Sequence, residues 1–407
     1  MKNKKIELLA PAGDFEKLKT ALHFGADAVY FAGKNYGLRA YGTNFDEVSI
    51  KETMDYIHSA GKKGYVTINV YARHNDFDGL KDYVQTLVDA NVDAVIVSDL
   101  GIFSFIREHF PKLAIHVSTQ ANTTNAMAAK MWHKLGAERV VLARELSIDE
   151  IKSISKENPD IELEAFVHGA MCISYSGRCL LSNYLTGRDS NHGECVQACR
   201  WCYSVTEESR PDEKFDLMED ERGTYIFNSK DLRLIEYIDK IFEAGVVSFK
   251  VEGRMKSPYY VATVINAYRR AIDYMYECKK SGKEFKVPVD LVKELEKASH
   301  RKYTTGFMFK DGNITQNLET SIQEQDSKFM AIIQDVKPGK ILVEQRNKFA
   351  INDSLEILSP TTNFGKIIKI ERMEDEQGNT ITEAKMVQQK IWIHTDLKLQ
   401  VGDILRK

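Results

Sequence analysis

Five of the six cysteines in the 407-residue chain lie within thirty-one consecutive residues, with the spacing C-x6-C-x15-C-x3-C-x2-C. Clustered thiols in a reducing compartment more often hold a metal or carry redox chemistry than form disulfides. Four thiolates hold either a 4Fe-4S cluster or a structural zinc ion, and zinc sites usually combine two short C-x2-4-C pairs. Only the last three cysteines have that short spacing, so the pattern favours the iron–sulfur cluster and leaves zinc as the alternative. The five cysteines are Cys172, Cys179, Cys195, Cys199 and Cys202.

Charge and hydropathy narrow the class of protein. The 56 basic and 59 acidic residues give a net charge of -3, which excludes a globally basic nucleic-acid binder but leaves room for a local basic surface. Glu7, Asp14 and Glu16 interrupt the N-terminal segment, so it does not have the apolar region of a secretory signal. No apolar run approaches the roughly 18–20 residues of a membrane span. We therefore expect a soluble, cytoplasmic protein without a membrane partner.

From Lys5 to Lys280 the sequence alternates short apolar runs with amphipathic helical patterns. The segments GADAVYFAG, NVDAVIVSD, GAERVVLAR and GVVSFKVEG repeat one arrangement, in which a small residue ends a helix and a buried strand follows. Eight such strands predict an α/β fold, a (β/α)8 TIM-like barrel, whose usual length of about 250 residues fits this region. An open doubly wound sheet is the competing arrangement. The predicted strands are Ile6–Ala10, Ala28–Ala32, Tyr65–Val70, Ala94–Ser98, Ala114–Ser118, Val140–Ala143, Leu163–Val167 and Ser248–Val251.

A cysteine-rich insertion separates the seventh and eighth predicted strands. It spans about residues 168–230 and precedes a predicted helix, Leu232–Glu243. Because barrel active sites form at the carboxyl ends of the strands, we expect the insertion to cover the mouth of the catalytic domain, residues 1–281. A basic connector with a short helix follows at residues 282–325. Short strands at regular spacing, with turns between them, then predict a small C-terminal β-barrel domain at residues 326–407.

Polar and charged side chains follow the predicted strands, at the end where a barrel forms its active site. Four arginines among them would bind carboxylates or phosphates in bidentate fashion, which predicts a site for an anionic substrate. The alternative is that each arginine pairs with a nearby acid, such as Glu145 or Glu252. His168, between the seventh strand and the cysteines, is a candidate general acid–base group, and Glu252 is the second candidate catalytic residue. The candidate substrate-binding residues are Arg39, Asn69, Arg73, Gln120, Arg144 and Arg254.

The segment SHRKYTTGFMFK, residues 299–310, interleaves basic and aromatic side chains. Surfaces that bind single-stranded nucleic acid have this composition. A solvated connector can have it as well, and for this segment alone the connector is the simpler interpretation.

The cysteine region also resembles a known family. The segment E-A-F-x-H-G-A-M-C-x6-C-L-L-S, residues 164–182, is similar to the signature of the collagenase-like peptidase family, whose members include RNA- and ubiquinone-hydroxylation proteins. Further segments extend the resemblance over nearly the whole chain, and it is strongest to the branch that hydroxylates tRNA. They are LLAPAGDFEKLKTAL, VHGAMC, CRW, FKVEGRMKSPYYVA and SHRKYTTGF.

This resemblance implies a (β/α)8-like catalytic domain and a C-terminal β-barrel. It also implies that Cys172, Cys179, Cys195 and Cys199 hold a 4Fe-4S cluster and that Cys202 does not. The implied reaction is hydroxylation of the wobble uridine of tRNA to 5-hydroxyuridine, without molecular oxygen and linked to prephenate. Prephenate is a dicarboxylate, the kind of anion that the predicted arginine-lined mouth would bind. The implied partner is tRNA, and a sister subunit or further copies of the chain are left open.

Two other enzyme classes are left as alternatives. The family name suggests proteolysis, yet the sequence has no G-x-S-x-G or H-E-x-x-H motif and no Cys/His arrangement separate from the cluster. A radical S-adenosylmethionine enzyme is suggested by Cys195, Cys199 and Cys202, which with Trp201 reproduce the C-x3-C-x-aromatic-C spacing. That motif usually follows the first strand of a barrel. Here it follows the seventh strand and leaves the first two cysteines unexplained.

Overall fold

The computed structural model describes residues 5–37, 45–172, 174–176, 178–201, 219–220, 223–224, 230–309 and 324–407. Its larger part contains the strands β1 (Glu7–Pro11), β2 (Ala28–Phe31), β3 (Lys63–Ile68), β4 (Ala94–Val97), β5 (Ile115–Val117), β6 (Arg139–Val141), β7 (Glu162–Ala170), β8 (Glu219–Asp220), β9 (Gly223–Thr224), β10 (Asp231–Arg233), β11 (Val246–Val251) and β12 (Tyr303–Thr304). Strands β1 to β7 and β11 are parallel and close into a barrel, because β11 pairs with both β1 and β7. The predicted (β/α)8 fold is confirmed, and each barrel strand begins and ends within three residues of its predicted range.

Helices surround the barrel and connect its strands. Asp14 begins the first helix as predicted, because its Oδ1 accepts a hydrogen bond from the backbone N–H of Lys17 at 2.8 Å. Within the described residues no helix is long and apolar enough to cross a membrane. The helices are α1 (Phe15–His23), α2 (Glu47–Ser59), α3 (Leu80–Asp89), α4 (Leu100–His109), α5 (Ala126–Lys134), α6 (Ile148–Glu157), α7 (Leu181–Thr186), α8 (Ile238–Glu243), α9 (Pro258–Ser281) and α10 (Val289–Glu296). Short 3-10 turns occur at His74–Phe77, Thr119–Ala121, Ser190–His192, Ala198–Arg200 and Ile235–Tyr237.

The barrel strands are buried on both faces, as parallel strands covered by helices must be. Every residue of β2, β4 and β11 is buried. The apolar side chains outside the barrel pack against the helices in one continuous core, which includes Phe24, Phe103 and Tyr268. This packing fixes where each strand ends, and so fixes the positions of the residues at the mouth.

The segment after the insertion differs from its prediction. We predicted a helix over Leu232–Glu243, but the structure has the strand β10, a 3-10 turn and a helix that begins only at Ile238. β10 runs antiparallel to β7, with Leu232 opposite Gly169, where β7 extends beyond the barrel. The exposed backbone groups at the end of β7 need hydrogen-bond partners, and the strand supplies them. The predicted helix was therefore wrong over its first half.

The C-terminal part is an antiparallel half-barrel sheet, which confirms the predicted all-β character. Its strands are β13 (Phe329–Lys337), β14 (Lys340–Gln345), β15 (Phe349–Ala350), β16 (Ser354–Leu358), β17 (Ile367–Lys369), β18 (Met373–Glu374), β19 (Thr380–Ile381), β20 (Glu383–Ala384), β21 (Lys390–His394) and β22 (Ile404–Arg406). Eight of them form one sheet with the order β17-β16-β22-β13-β14-β21-β18-β19. The predicted turn at Pro338-Gly339 joins the first two strands, with Gly339 at a φ of 78°, a left-handed conformation that favours glycine.

Candidate active site

A cavity of about 340 Å³ lies at the carboxyl ends of the barrel strands, the end at which barrel enzymes form their active sites. The strands and the residues that follow them form its floor. Its roof is the cysteine loop, which we define as residues 171–201. The floor residues include Tyr30, Thr67, Asn69, Ile96, Ser118, Thr119, Gln120, Arg144, Phe166, Lys250, Glu252 and Arg254, and the roof residues include Met171, Cys172, Ser176, Cys179, Leu181, Ser182, Arg188, Asn191, Cys195, Gln197 and Cys199.

The four cysteines predicted as metal ligands, Cys172, Cys179, Cys195 and Cys199, all line this cavity. All four are free thiols. Cys172 follows the end of β7 by two residues, which places it at the rim of the barrel. The structure thus brings together the set that the family resemblance implies, whereas Cys202 lies outside the described residues.

Hydrogen bonds fix the cysteine loop around these thiols. The Ser190 hydroxyl donates to the backbone carbonyl of Cys179 at 2.6 Å. The backbone N–H of Gln197 donates to the Sγ of Cys195 at 3.3 Å. An amide N–H of the loop thus points at one of the four sulfurs.

The four cysteine thiols are a donor set of the kind that an iron–sulfur cluster takes. No three Cys, His, Asp or Glu side chains in the described part of the chain converge closely enough to hold one metal ion. The four thiols instead face one cavity from separate positions along the loop. An iron–sulfur cluster takes one thiolate on each of its irons, so it uses sulfurs that are spread around it. The donor set therefore fits a 4Fe-4S cluster.

Glu252 and Arg144 lie together on the cavity floor. Their closest side-chain atoms are 3.7 Å apart, and both side chains are mostly buried. The Tyr30 hydroxyl donates to Glu252 at 3.4 Å. The Arg144 guanidinium lies 3.9 Å from the centroid of the Phe166 ring, which holds it flat against the floor. Arg144 therefore pairs with a nearby acid, which was the alternative interpretation of the sequence, and this pair lies inside the cavity.

Three further predicted substrate-binding residues line the same floor: Asn69, Gln120 and Arg254. Arg254 is buried, and its Nη1 donates to the Thr67 hydroxyl at 3.4 Å. Gln120 has a buried Oε1 that accepts no hydrogen bond from the described residues. A buried acceptor without a partner costs free energy, so a ligand N–H or O–H in the cavity would stabilise it.

Lys250 is a floor residue that the sequence analysis missed. Its Nζ donates to the Oε1 of Glu164 at 2.8 Å and lies 4.4 Å from the centroid of the Tyr30 ring. Glu164 is completely buried and also accepts from Arg139 at 3.1 Å and from Ser248 at 3.1 Å. Burial raises the pKa of Glu164, but the charges of Lys250 and Arg139 outweigh it and hold the pKa below its ordinary value.

The cavity lining carries more positive than negative side chains. Arg144, Arg188, Lys250 and Arg254 line it, against the single carboxylate of Glu252. The excess is reduced where Glu164 neutralises Lys250 from below. An anionic ligand therefore meets a favourable potential at the floor.

His168 does not line the cavity, although the sequence made it a candidate catalytic group. It is buried among aromatic rings, with the centroids of Tyr268 and Tyr303 each 5.5 Å from its own. Burial lowers its pKa to about 3. A neutral histidine packed outside the cavity cannot exchange protons with a ligand there, so the geometry gives its predicted catalytic role no support.

Arg73 and Arg39 are not placed at the floor either. Arg73 is absent from the cavity lining, and its side chain is 71% exposed. Its Nη2 donates to Asp189 of the cysteine loop at 2.8 Å, so it joins this loop to the barrel. Arg39 lies outside the described residues.

The basic and aromatic segment 299–310 is packed against the barrel in its described part. Arg301 is buried, and its Nε donates to Asp231 at 3.0 Å. The His300 ring stacks on Tyr303, with centroids 4.5 Å apart. Neither interpretation from the sequence was right for these residues, because they hold β10 and β12 in place instead of facing solvent or nucleic acid.

Comparison with known proteins identifies the family. The model of peptidase family U32 matches residues 13–317, and the model of the peptidase family U32 C-terminal domain matches residues 325–406. The chain belongs to peptidase family U32. These matches cover both the barrel and the C-terminal sheet of this U32 protein.

Three relatives of this U32 protein show the range of names in the family. The tRNA hydroxylation protein P1 of Bacillus subtilis is 40% identical, over 99% of this chain and 95% of the relative. The tRNA hydroxylation protein P of Escherichia coli is 37% identical, over 99% and 97%. A protein named collagenase from Porphyromonas gingivalis is 34% identical, over 66% of this chain and 65% of the relative.

The residues that sequence reasoning missed carried a signal in this U32 chain. Lys250 and Glu164 each stand within an apolar strand, in SFKVEG and ELEAFV. A charged residue in a strand buried on both faces is rare unless it is paired. That signal would have found both members of the ion pair at the cavity floor.

Proposed function

We propose that this chain hydroxylates RNA, with tRNA as its substrate, in the cavity between the barrel mouth and the cysteine loop. The names of the relatives from B. subtilis and E. coli, which match over nearly their whole lengths, support tRNA as the substrate. The observation that carries the proposal is that four free thiols face a cationic floor across one cavity. A redox group and a bound anion can meet there.

The finer proposal concerns the base and the cofactor. We propose that the wobble uridine becomes 5-hydroxyuridine without molecular oxygen, and that Cys172, Cys179, Cys195 and Cys199 hold a 4Fe-4S cluster. Replacing a ring C–H bond by C–OH adds one oxygen atom and removes two electrons from the base, so the reaction needs an oxygen donor and a two-electron acceptor. A cluster at the cysteines supplies electron transfer when bound.

The floor residues suggest what binds opposite the thiols. Arg144 and Arg254 present guanidinium groups to a cavity large enough for a small organic anion. Prephenate, a dicarboxylate, fits this chemistry, and we propose it as a co-substrate. The unpaired Oε1 of Gln120 would accept a hydrogen bond from a ligand N–H or O–H and so orient it.

The first experiment measures tRNA from a strain that lacks this gene. Nucleosides from its total tRNA should lose 5-hydroxyuridine and derivatives built on it, and the wild-type gene should restore them. Mass spectrometry of the digested tRNA gives the result. A paralogue with the same activity must be deleted as well, and unchanged tRNA in that double deletion would refute the proposal.

The second experiment tests the cluster by substitution of single cysteines. Anaerobically purified wild-type protein should contain about four irons and four sulfides per chain, the content of one 4Fe-4S cluster. Cys172→Ser should lose the iron, because it removes one ligand. Cys278→Ser is the matched control, because Cys278 is buried on α9 away from the cavity, and it should keep the iron.

Cys202 distinguishes the remaining metal alternatives. Cys202→Ser should keep the iron and the modification of tRNA if the four cavity cysteines are the ligands. Loss of iron in Cys202→Ser, with retention in Cys172→Ser and binding of S-adenosylmethionine, would favour the radical class instead. One tightly bound zinc in a colourless protein would exclude the iron–sulfur cluster.

The anion site is tested by direct binding of prephenate. Arg254→Ala should weaken binding by about 10- to 150-fold, since a lost hydrogen bond to a charged group costs about 1.5–3 kcal/mol. Arg372→Ala is the control, because Arg372 is an exposed arginine of the C-terminal part. Calorimetric titration of the iron-loaded protein measures both, and equal affinities of the two variants would refute the anion site.

Peptide hydrolysis is the second candidate function, because the relative from P. gingivalis is named collagenase. The geometry does not favour it. A thiol that attacks a peptide bond needs an adjacent base such as an imidazole, and no histidine is among the described side chains that line the cavity. Loss of peptide cleavage in the deletion strain, with unchanged tRNA, would favour peptide hydrolysis over RNA hydroxylation.

A further inference from the structure

An exposed tyrosine stands beside the cavity on the helix α7. Tyr184 is 83% exposed, which is the largest exposure of any aromatic side chain in the described part of the chain. The same short helix lines the cavity through Leu181 and Ser182. Tyr184 follows Leu181 by three residues, and residues three apart lie on the same face of a helix. Tyr184 is therefore within one helical turn of the cavity lining, with its ring exposed to solvent.

The helix that carries Tyr184 is held rigidly. The Ser182 hydroxyl is buried, donates to the Arg188 carbonyl at 2.9 Å and accepts from the backbone N–H of Val196 at 3.2 Å. Thr186 donates to the Ser182 carbonyl at 2.8 Å. These bonds join the helix to the part of the cysteine loop that follows it. The helix that carries the exposed ring is thus held in place by hydrogen bonds to the rest of the cysteine loop.

Some exposed aromatic rings of the chain pack on another ring, whereas Tyr184 makes no ring contact within the described residues. Phe15 and Tyr56 pack on each other with centroids 5.4 Å apart, and Tyr274 packs on Phe285 at 6.2 Å. Within the described residues, no ring and no side chain bonds to Tyr184. Tyr175, which is 48% exposed, is a second exposed aromatic of the cysteine loop. Both rings leave a face open to a ligand.

The charges near these rings point to a nucleic acid as the occupant. Arg178 is exposed and lies 5.1 Å from the Tyr71 ring, beside Tyr175 in a shallow surface pocket. Arg188 lines the cavity next to the helix. Arginines next to open aromatic faces bind single strands, because the cations attract phosphates and the rings stack on unpaired bases. A purely apolar protein partner would gain nothing from these arginines.

We propose that Tyr184, with Tyr175, stacks on unpaired bases of an RNA loop and so delivers one nucleotide into the cavity. This inference rests on the proposed function and names the surface that its RNA substrate contacts. A cavity of about 340 Å³ is at the small end of ligand sites, so it has no room for the bases on either side of the target nucleotide. Enzymes that act on a base turn it out of its stack and hold its neighbours outside the pocket. Tyr184 is placed to stack on a base next to the target nucleotide.

The test compares two synthetic RNAs of the same stem, one with a uridine-containing unpaired loop and one closed as a full duplex. Wild-type protein should bind the loop RNA more tightly than the duplex. Tyr184→Ala should weaken loop binding by about 5- to 150-fold, the range measured for loss of one base-stacking ring, and should leave duplex binding unchanged. Tyr184→Phe keeps the ring and should bind like the wild type. Fluorescence anisotropy at fixed salt measures each affinity.

The control is Tyr56→Ala, which removes an exposed tyrosine near the end of α2, at the opposite end of the barrel. It should bind both RNAs like the wild type. Loop binding by Tyr184→Ala that equals the wild type would overturn the stacking proposal, as would equal losses for loop and duplex or failure of the wild type to prefer the loop. The proposed function is tested separately, with tRNA from the deletion strain. If that tRNA loses its hydroxylation while Tyr184→Ala binds the loop RNA normally, only the stacking proposal is refuted.

Discussion

At the scale of single residues, the ion pair of Lys250 and Glu164 determines the charge of the cavity floor. Lys250 lines the cavity, while Glu164 lies beneath it and is completely buried. Arg139 joins the pair from the other side, and it also binds Glu7 and Glu162. The barrel interior therefore fixes the Lys250 ammonium at the floor, where Glu164 balances its charge.

Replacing Glu164 should show this dependence. Glu164→Gln should lower the free energy of unfolding by about 3–5 kcal/mol, because it leaves the buried Lys250 charge without its partner. Denaturant titration measures the loss. Glu162→Gln is the control, since Glu162 is 33% exposed and shares Arg139 with two other acids, and its loss should be clearly smaller. Equal losses would mean that the pair has no special role.

The pKa of Glu164 gives this prediction a pH dependence. Because the neighbouring charges hold its pKa below the ordinary carboxyl value, the ionised pair stabilises the folded state above that value. The contribution should be lost as the pH falls through the lowered pKa. The difference in unfolding free energy between wild type and Glu164→Gln should therefore shrink on acidification, and a difference that grows would contradict the assignment.

His168 should show the behaviour of a buried neutral histidine and not of a catalyst. Its pKa is lowered to about 3 by burial, whereas an unfolded histidine titrates near 6.5. Below about pH 6.5 only the unfolded state takes up this proton, so His168 should reduce the unfolding free energy by about 1.4 kcal/mol per pH unit. His168→Phe should remove that slope and still hydroxylate tRNA in the complemented strain. The exposed His74, replaced in the same way, is the control, and lost hydroxylation in a folded His168→Phe would restore the catalytic role.

At the scale of elements, the cysteine loop is positioned by contacts from the barrel. Arg73 binds Asp189 at 2.8 Å, and the Asn122 side-chain amide donates to the Ser176 carbonyl at 3.1 Å. The Tyr71 hydroxyl donates to the Gln120 carbonyl at 2.8 Å, which connects the residues after β3 and β5. The roof of the cavity thus depends on residues that do not themselves line it.

Arg73 should therefore act through the loop and not through the ligand. The pair with Asp189 is exposed on the arginine side, so it is worth only about 0.2–1 kcal/mol, and Arg73→Ala should lower the rate of tRNA modification by at most about fivefold. Asp189→Asn, which removes the charge but keeps the Oδ1 that accepts from the Asn191 N–H at 2.8 Å, should have the same effect, and the double variant should be no worse than either single one. Prephenate affinity should stay unchanged in Arg73→Ala. Effects of the two substitutions that multiply would contradict the shared role.

The sequence predicted the elements whose conformation follows from a local residue pattern. It did not predict the elements whose conformation depends on a partner far away in the chain. The eight barrel strands could be predicted because each is a short run of buried residues bounded by a helix, as in β2 and β4. β10 could not, because its strand conformation depends on the end of β7 and on Arg301, seventy residues away from Asp231. The cavity residues followed from strand ends, whereas the loop partner of Arg73 became visible only in the folded chain. The aromatic rings around His168 likewise became visible only in the folded chain.

At the scale of the whole molecule, the C-terminal sheet is fixed to the barrel domain by a buried charged contact. Arg406 of β22 is completely buried and donates to both oxygens of Glu294 in α10, one of them at 2.8 Å. Its Nη2 also donates to Glu356 at 2.8 Å. Around this contact Tyr259 and Phe329 stack with centroids 5.6 Å apart, so apolar packing surrounds the charges. The barrel and the sheet therefore stabilise each other.

Breaking this contact should destabilise the whole chain. Arg406→Met should lower the free energy of unfolding by about 3–5 kcal/mol, because Glu294 is left buried without its main partner. Replacing both residues, as Arg406→Met with Glu294→Leu, should recover most of the loss, since no buried charge is then left unpaired.

The control is Lys407→Ala, whose side chain is 54% exposed and pairs with Asp353, with an expected loss of at most about 1 kcal/mol. Denaturant titration followed by tryptophan fluorescence reports on both parts, because Trp132 lies in the barrel domain and Trp392 in the sheet. A loss in Arg406→Met no larger than that in Lys407→Ala would show that the sheet is held by its apolar packing alone.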